Sequence, residues 1–317
     1  TQYTQGQFKL KLGTVTSGTH SWVQTANWMK EQLAERSNGA IELSVYEGGQ
    51  LGNDEAEFTD MGLGTQDMMI GGLTSISSFI PETTAMILPY LYPSRDVYES
   101  TLTVGGPVFN YVQGKFDEYN FGVKLLGMCN SGARYLFSVK QVSSLADLKG
   151  MKMRAMPNPL HQDAFTAMGM NPTTTSFNEI YTLMQQGGID GWDSDPIGII
   201  TGGFYEVAKY VTISGHFNNE VMLDMSDNAW NRLNEEQQGW AIEAAKAAGK
   251  ASYEVSMEQA TKRYEQMKEK GMEINEIDLT PLKEAVKPVV EKYCAQSEVC
   301  AEVVAAIEEY KAAHANT

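Results

Sequence analysis

The segment GGIDGWDSDP, residues 187–196, carries three aspartates and one tryptophan between two glycines and a proline. Acidic side chains this close together can hold a metal, activate water, bind the hydroxyls or ammonium of a ligand, or decorate a solvated turn. A hydrolase that used Asp193 and Asp195 as its acid and base would need further catalytic groups. The sequence has no GxSxG, HExxH, CxxC or GxGxxG motif to supply them. We therefore expect a binding protein with no cofactor and no metal, and an enzyme only as the least favoured alternative.

Charge and hydropathy narrow the classes of partner. The 317 residues include 24 Lys and Arg against 40 Asp and Glu, a formal net charge of −16. So acidic a surface repels phosphate, which argues against nucleic acid and against an anionic membrane surface. No apolar run approaches the length of a transmembrane helix, so direct membrane insertion is not expected. The chain begins with threonine, which fits an exported, processed protein or a trimmed one equally well.

The cysteines leave one question open. Cys294 and Cys300 could close a small disulfide loop in an oxidising compartment, or remain unlinked thiols on one helix. Cys129 is expected to be a buried small hydrophobe.

Two stretches of the chain repeat the same plan. Residues 8–72 and 151–192 each read strand, helix, strand, helix, strand, which predicts mostly parallel α/β sheets. Ligands in such sheets bind beyond the carboxyl ends of the strands. In the first stretch this places the candidate ligand edges at Thr14–Thr19, after Tyr46 and at Gly71–Gly72. In the second stretch it places them at Met156–Asn158, Thr175–Phe177 and Trp192–Asp195.

A long helical pattern follows Asn219. Asn234 is its predicted N-cap and Gly271 its predicted end, and a continuous helix here could brace two lobes. Gly239 and Gly249 offer the alternative of two separate helices. The tail from Pro281 to Ala313 is also predicted to be helical.

Three longer motifs resemble the solute-binding proteins of TRAP transporters, the DctP family. They are LADLKGMKMRAMPNP, MGMNPTTTSFNEIYTLMQQGGIDGWDSDP and FYEVAKYVTISGH. The resemblance implies a periplasmic, two-lobed α/β fold with a ligand cleft between the lobes and a long bridging helix. It implies capture of a small organic anion for a membrane permease. The expected lobes are residues 1–131 with 220–258, and 132–219 with 259–317.

The same resemblance implies an arginine clamp. In the family an arginine of the strand after the LKG element holds the ligand carboxylate, and Arg154 stands at that position. A second arginine often assists from the preceding crossover segment, where this chain has Arg134. Guanidinium is planar and permanently charged, so its paired donors match a carboxylate or sulfonate.

Departures from the family pattern point to the ligand. Sialic-acid-type relatives carry Gln, Glu and Asn where this chain has Trp192, Asp193 and Ser194. They also have an acid in place of Gly72 and an asparagine in place of Val15. We therefore expect a ligand smaller than sialic acid, with Trp192 as a flat wall of its site.

The ligand class has one leading prediction and two alternatives. A hydroxy- or keto-carboxylate leads, whereas a zwitterion whose ammonium meets Asp193, or a small sulfonate, is the alternative. Further candidate binding residues are the strand-edge positions and those near the returning strand: Thr16, Met156, Asn158, Phe177, His216 and Asn219.

Overall fold

The computed structural model describes residues 3–313, which divide into two compact units. Residues 1–2 and 314–317, at the outer ends of the predicted lobes, lie outside the described residues. Residues 77–98, which the predicted division placed with the first lobe, group with unit 2. Unit 1 comprises Thr1–Ile76, Glu99–Asn130 and Glu220–Ser256, and unit 2 comprises Ser77–Tyr98, Ser131–Asn219 and Met257–Thr317.

Unit 1 is built on a five-stranded sheet in the order β2-β1-β3-β10-β4. β1 is parallel to β2 and β3, whereas β10 runs antiparallel to β3. The strands are β1 (Phe8–Gly13), β2 (Ile41–Tyr46), β3 (Met68–Gly71), β4 (Val123–Ala133) and β10 (Asn218–Ser226). The helices are α1 (Ser21–Arg36), α2 (Asp54–Leu63), α3 (Leu73–Ile76), α4 (Arg95–Leu102, which begins in unit 2), α5 (Pro107–Tyr119) and α8 (Asp227–Asn231).

The strand–helix pattern predicted for residues 8–71 is confirmed. Leu10 and Leu12 alternate with the exposed Lys9 and Lys11 along β1, and Trp22, Ala26, Met29 and Leu33 form the buried face of α1. Burial of each leucine or methionine side chain contributes about 1.5–3 kcal/mol. The Asn53 side chain accepts a hydrogen bond from the Ala56 backbone and caps α2.

Unit 2 is built on a six-stranded sheet in the order β11-β9-β5-β8-β6-β7. Its strands are β5 (Tyr135–Ser138), β6 (Lys152–Ala155), β7 (Asn171–Thr174), β8 (Gly191–Ser194), β9 (Tyr210–Ile213) and β11 (Glu273–Glu276). β5 is antiparallel to both of its neighbours, and the other pairings are parallel. The helices are α6 (Pro159–Ala167), α7 (Ile180–Gln185), α10 (Thr280–Ala295) and α11 (Glu298–Ala313).

The predicted long helix is continuous. It is α9 (Glu235–Glu269), 35 residues, and its sequence passes from unit 1 to unit 2 at residue 257. Asn234 and Gln237 exchange side-chain-to-backbone hydrogen bonds of 2.9 Å, which makes the capping box at its start. Gly271, with φ of 82°, ends it in the left-handed conformation that glycine adopts without strain.

The cysteine question is also answered. Cys294, in α10, and Cys300, in α11, form a disulfide, and Cys129 is fully buried in β4 as expected.

α2 presents two acidic residues to the interior of unit 1. Asp54 and Glu57 are buried on the same helix face as Met61, and the charge of Asp54 acts on Asp224 of β10. Glu57 accepts a hydrogen bond of 2.7 Å from the Gln66 side chain. Neither carboxylate oxygen of Asp224 has a hydrogen-bond partner among the described residues. Burial raises the pKa of Asp224 well above its usual range, and Asp54 adds to the shift.

Glu57 is therefore expected to make the stability of the protein pH-dependent. Burial raises its pKa from 4.5 to about 8; the Gln66 hydrogen bond opposes the shift and the charges of Asp54 and Asp60 add to it. The folded state thus holds a proton that the unfolded chain has lost above pH 4.5. The free energy of unfolding must fall as pH rises from about 4.5 to 8, by up to about 1.4 kcal/mol per pH unit for this one proton.

Glu57→Gln should flatten this part of the stability profile, because the glutamine amide is neutral at every pH. Urea unfolding at intervals between pH 5 and pH 8 measures the slope. Glu31→Gln, at an exposed position of α1, is the control and should keep the slope of the parent protein. Equal slopes for Glu57→Gln and the parent protein would contradict a protonated Glu57.

Candidate functional site

The predicted binding residues of unit 2 gather at one edge of its sheet. β6 and β8 are parallel, so their carboxyl ends lie side by side. β5 runs the other way, with Tyr135 opposite Ser194, so the residue before β5, Arg134, reaches the same edge. β9 is antiparallel to β5 and ends there too, which brings in His216 from the segment that follows. The residues that the strand-edge rule selected in unit 2 therefore meet at one edge of this sheet.

Arg134 and Asp193 form a buried ion pair at this edge. The Arg134 Nε donates to Asp193 Oδ2 at 2.9 Å and its Nη2 donates to Asp193 Oδ1 at 2.9 Å. Nη2 also donates to the Asp193 carbonyl at 2.6 Å. The Arg134 residue is 4% exposed and Asp193 is fully buried. Two parallel bonds to one carboxylate are the strongest geometry that guanidinium offers.

A polar network surrounds the pair. The His216 Nε2 lies 3.0 Å from Asp193 Oδ2, and its Nδ1 lies 2.8 Å from the Ser214 hydroxyl. The Arg134 Nη1 donates to Asn219 Oδ1 at 3.2 Å, while the Asn219 amide donates to Asp195 Oδ2 at 2.7 Å. Arg134, Asp193, His216 and Asn219, all candidate binding residues, are therefore brought together.

The network fixes the charge of Asp193. Burial alone would raise the pKa of this carboxyl, but the charge and hydrogen bonds of Arg134, helped by His216, hold the pKa well below its usual value. Asp193 is thus ionised and already paired with a cation of the protein. The expectation that Asp193 meets a ligand's ammonium loses its basis, because Arg134 occupies that place.

Both carboxylate oxygens of Asp195 accept hydrogen bonds from neighbouring residues of unit 2. Its Oδ1 accepts a hydrogen bond from the Ile197 backbone at 2.9 Å, and its Oδ2 accepts from the Ser131 hydroxyl at 3.1 Å as well as from Asn219. Asp190 accepts from the Lys152 backbone at 2.8 Å and joins β6 to the start of β8.

Arg154 lies near the end of β6, within the same edge. It is 3% exposed, and its Nε donates to the Thr175 carbonyl at 2.8 Å, which orients the guanidinium from the end of β7. Met156 is buried just beyond the strand. Asn158 caps α6, because its Oδ1 accepts from the Leu160 backbone at 2.8 Å and its amide contacts Ser77. Asn158 therefore has a structural role as the N-cap of α6.

The placement of Trp192 differs from the prediction. The strand was expected to end at this residue, but β8 continues through Ser194, so Trp192 lies within the sheet. Its register partner is Phe137, with ring centroids 5.1 Å apart and nearly parallel planes, and Phe204 packs at 5.0 Å. Trp192 is 1% exposed, a core residue of unit 2. Side chains alternate along a strand, so Asp193 points to the opposite face.

Phe177 and Ser194 lie near Trp192. Together with Trp192, Phe137 and Phe204 they line a narrow crevice that is too tight to admit a water molecule. This crevice offers no room for a ligand, so Phe177, predicted as a binding residue, is better described as packing against the core of unit 2.

Two candidate residues, Thr16 and Gly72, belong to unit 1. They follow the carboxyl ends of β1 and β3, which are parallel neighbours. The Thr16 hydroxyl lies 3.1 Å from that of Thr14, and the Gly72 backbone donates to Asp54 Oδ2 at 3.3 Å.

His161 is a residue that the sequence reasoning missed. It lies on the first turn of α6, fully buried, with its ring stacked on Phe217 at a centroid distance of 3.8 Å. The charges of Asp193, Arg134, His216 and Arg154 all act on it. The sequence did contain a signal for His161. This residue follows the helix cap Asn158 by three positions, and Asn158 had itself been selected at a candidate ligand edge.

Two general features of the described residues bear on function. Among residues 3–313, no three or more His, Cys, Asp or Glu side chains are grouped so that they could hold a metal ion. Within the same range, no helix combines the length and apolar character needed to cross a membrane.

Comparison with known proteins shows which family the chain resembles in sequence and in structure. Residues 12–297 match the profile of bacterial extracellular solute-binding protein family 7, DctP. The sialic acid-binding periplasmic protein SiaP of Vibrio cholerae is 28% identical over 90% of this chain and 88% of its own. A TRAP periplasmic solute-binding protein from Pseudomonas putida, solved with D-glucuronate, has a TM-score of 0.89 at 27% identity, covering 95% and 97% of the two chains. One from Roseobacter denitrificans, solved with L-galactonate, has a TM-score of 0.86 at 27% identity, covering 96% and 99%.

Asp193→Asn should lower the free energy of unfolding by about 3 kcal/mol, because it leaves the buried Arg134 charge uncompensated. Urea unfolding at pH 7 measures this loss. Lys209→Met is the matched control, since it breaks the exposed Lys209–Glu273 pair, which solvent screens, and should change the free energy of unfolding far less. A loss below about 1 kcal/mol for Asp193→Asn would show that Asp193 and Arg134 are not paired in a buried environment.

Proposed function

Because the chain belongs to bacterial extracellular solute-binding protein family 7, the DctP family, we propose that it is a TRAP-transporter binding protein that captures a small hydroxylated organic acid anion. The family and its solved relatives are solute-binding proteins, so the chain is a binding protein and not an enzyme. The carboxylates of Asp193 and Asp195 are engaged by Arg134, Asn219 and Ser131, which agrees with this conclusion.

The observation that carries the proposal is the presence of two buried guanidinium groups at the sheet edge of unit 2. Arg134 is ion-paired with Asp193, whereas the Nε of Arg154 donates to the Thr175 carbonyl and its charge acts on the exposed carboxylate of Glu179. A buried cation favours an anionic ligand, and the fork of guanidinium matches a carboxylate. We therefore assign the carboxylate-binding role to Arg154, and assign to Arg134 the role of holding Asp193, His216 and Asn219 in place.

The relatives support the ligand class. Sialic acid, D-glucuronate and L-galactonate, named for three similar proteins, are all carboxylates that carry several hydroxyls. Gly72 and Val15 stand where sialic-acid-type relatives carry an acid and an asparagine, which argues against sialic acid itself as the ligand here. The zwitterion alternative is weaker, because the Asp193 carboxylate is paired with Arg134.

The place of action follows from the same relatives. We propose that the protein works in the periplasm and passes its ligand to membrane permease subunits, as the descriptions of its relatives as TRAP periplasmic proteins suggest. Transport of L-galactonate into vesicles that contain TRAP permease subunits from the same organism, with and without the purified protein, tests this step. Uptake that does not depend on the protein would contradict it.

Arg154→Ala should weaken binding of the ligand at least about tenfold, since a hydrogen bond to a charged group contributes about 1.5–3 kcal/mol. The measurement is isothermal titration of D-glucuronate and L-galactonate, supported by the ligand-induced rise in Tm. Arg36→Ala removes the same charge from the exposed end of α1 and should leave affinity unchanged. Equal affinities of Arg154→Ala and the parent protein would overturn the role of Arg154 as the anion anchor.

A further inference from the structure

His161 is a buried polar side chain without a hydrogen-bond partner. It is fully buried, and neither Nδ1 nor Nε2 has a partner among the described residues. Buried polar groups are almost always hydrogen-bonded, because an unpaired one costs about 1–3 kcal/mol. A phenylalanine would keep the ring contact with Phe217 and avoid that cost. The imidazole therefore needs a reason other than the packing of unit 2.

The position of His161 is set by well-defined local structure. Asn158 caps α6 and Pro159 opens its first turn, so residue 161 faces the segment that follows β9. Its ring lies flat on Phe217, with an angle of 6° between the planes. Phe165, one turn further along α6, packs against the His216 ring at 5.7 Å. The imidazole is thus held by packing on its face, while its nitrogen-bearing edge has no partner.

The surroundings keep His161 neutral. Burial lowers its pKa well below the usual value; Asp193 opposes the shift, whereas Arg134, His216 and Arg154 add to it. A neutral imidazole carries one N–H donor and one nitrogen acceptor. It can therefore donate to a hydroxyl or accept from it without adding charge.

We propose that His161 is a specificity-determining residue of this site, which recognises a hydroxyl of the bound acid close to the carboxylate that Arg154 holds. The assignment rests on the proposed function. Arg154 lies in β6, and α6, which carries His161, is the next element of the chain. Phe217, on which the imidazole stacks at 3.8 Å, accepts a hydrogen bond of 2.8 Å from the Arg134 backbone, so His161 lies at the same sheet edge as the two arginines. A ligand that lacks the hydroxyl leaves the imidazole unpaired, which is how a polar site rejects close analogues.

The test compares L-galactonate with its 2-deoxy analogue, which lacks the hydroxyl next to the carboxylate. The parent protein should bind L-galactonate at least about tenfold more tightly than the analogue, because the analogue lacks one buried hydrogen bond and leaves the imidazole unpaired. His161→Phe should bind L-galactonate about tenfold more weakly and lose the preference. His161→Gln, which restores a donor and an acceptor, should recover part of it. Isothermal titration gives all the affinities.

The Tm without ligand separates recognition from a structural role. His161→Phe should melt at the same temperature as the parent protein or higher, because it removes an unpaired buried imidazole while keeping the stacked ring. A stable His161→Phe variant that binds L-galactonate with the affinity and preference of the parent protein overturns the proposal. A His161→Phe variant that melts at a lower temperature but binds L-galactonate normally also overturns the proposal, because the imidazole then stabilises the fold and does not recognise the ligand.

The outcomes also separate this inference from the proposed function. If Arg154→Ala loses binding while His161→Phe keeps both affinity and preference, the anion-binding function stands and the role of His161 falls. If neither L-galactonate nor D-glucuronate binds to the parent protein, the proposed ligand class is wrong, and the role of His161 falls with it.

Discussion

The buried pairing of Arg134 with Asp193 is the constraint on which the candidate site depends. Removing two charges from water costs several kcal/mol for each ion, and only good geometry with further hydrogen bonds compensates for that cost. Here the carboxylate accepts two guanidinium bonds and contacts His216, while the guanidinium also reaches Asn219. One interaction thereby ties the start of β5, the end of β8 and the segment after β9 to each other.

This pairing also decides the sign of charge at the sheet edge. A chain with a net charge of −16 repels anions over most of its surface, so an anion site needs a local excess of positive charge. Because Arg134 engages the carboxylate of Asp193, that negative charge is already paired within the protein at the edge where Arg154 also lies. The acidic segment that first suggested metal or acid–base chemistry therefore acts by holding an arginine.

Much of the fold was predictable because its signals are local. The period of apolar residues defined α1 and β1, and the caps Asn234 and Gly271 marked the ends of the long helix correctly. The family resemblance placed Arg154 in the strand after the LKG element, which is β6. By contrast, the end of β8 was predicted two residues too early, since pairing with β5 extends the strand through Ser194. That extension turned Trp192 from an expected wall of the site into a core residue stacked on Phe137.

The sequence by itself determined the elements, the acidic charge, the family and the position of Arg154, because periodicity, caps and motif spacing act over a few residues. Only the tertiary structure decided which residue Asp193 contacts and that His161 faces the same edge. Arg134 and Asp193 are 59 residues apart, and the antiparallel pairing of β5 with β8 brings them together. Such long-range pairing depends on which strands become neighbours in the sheet, and no local pattern around Asp193 contains that information.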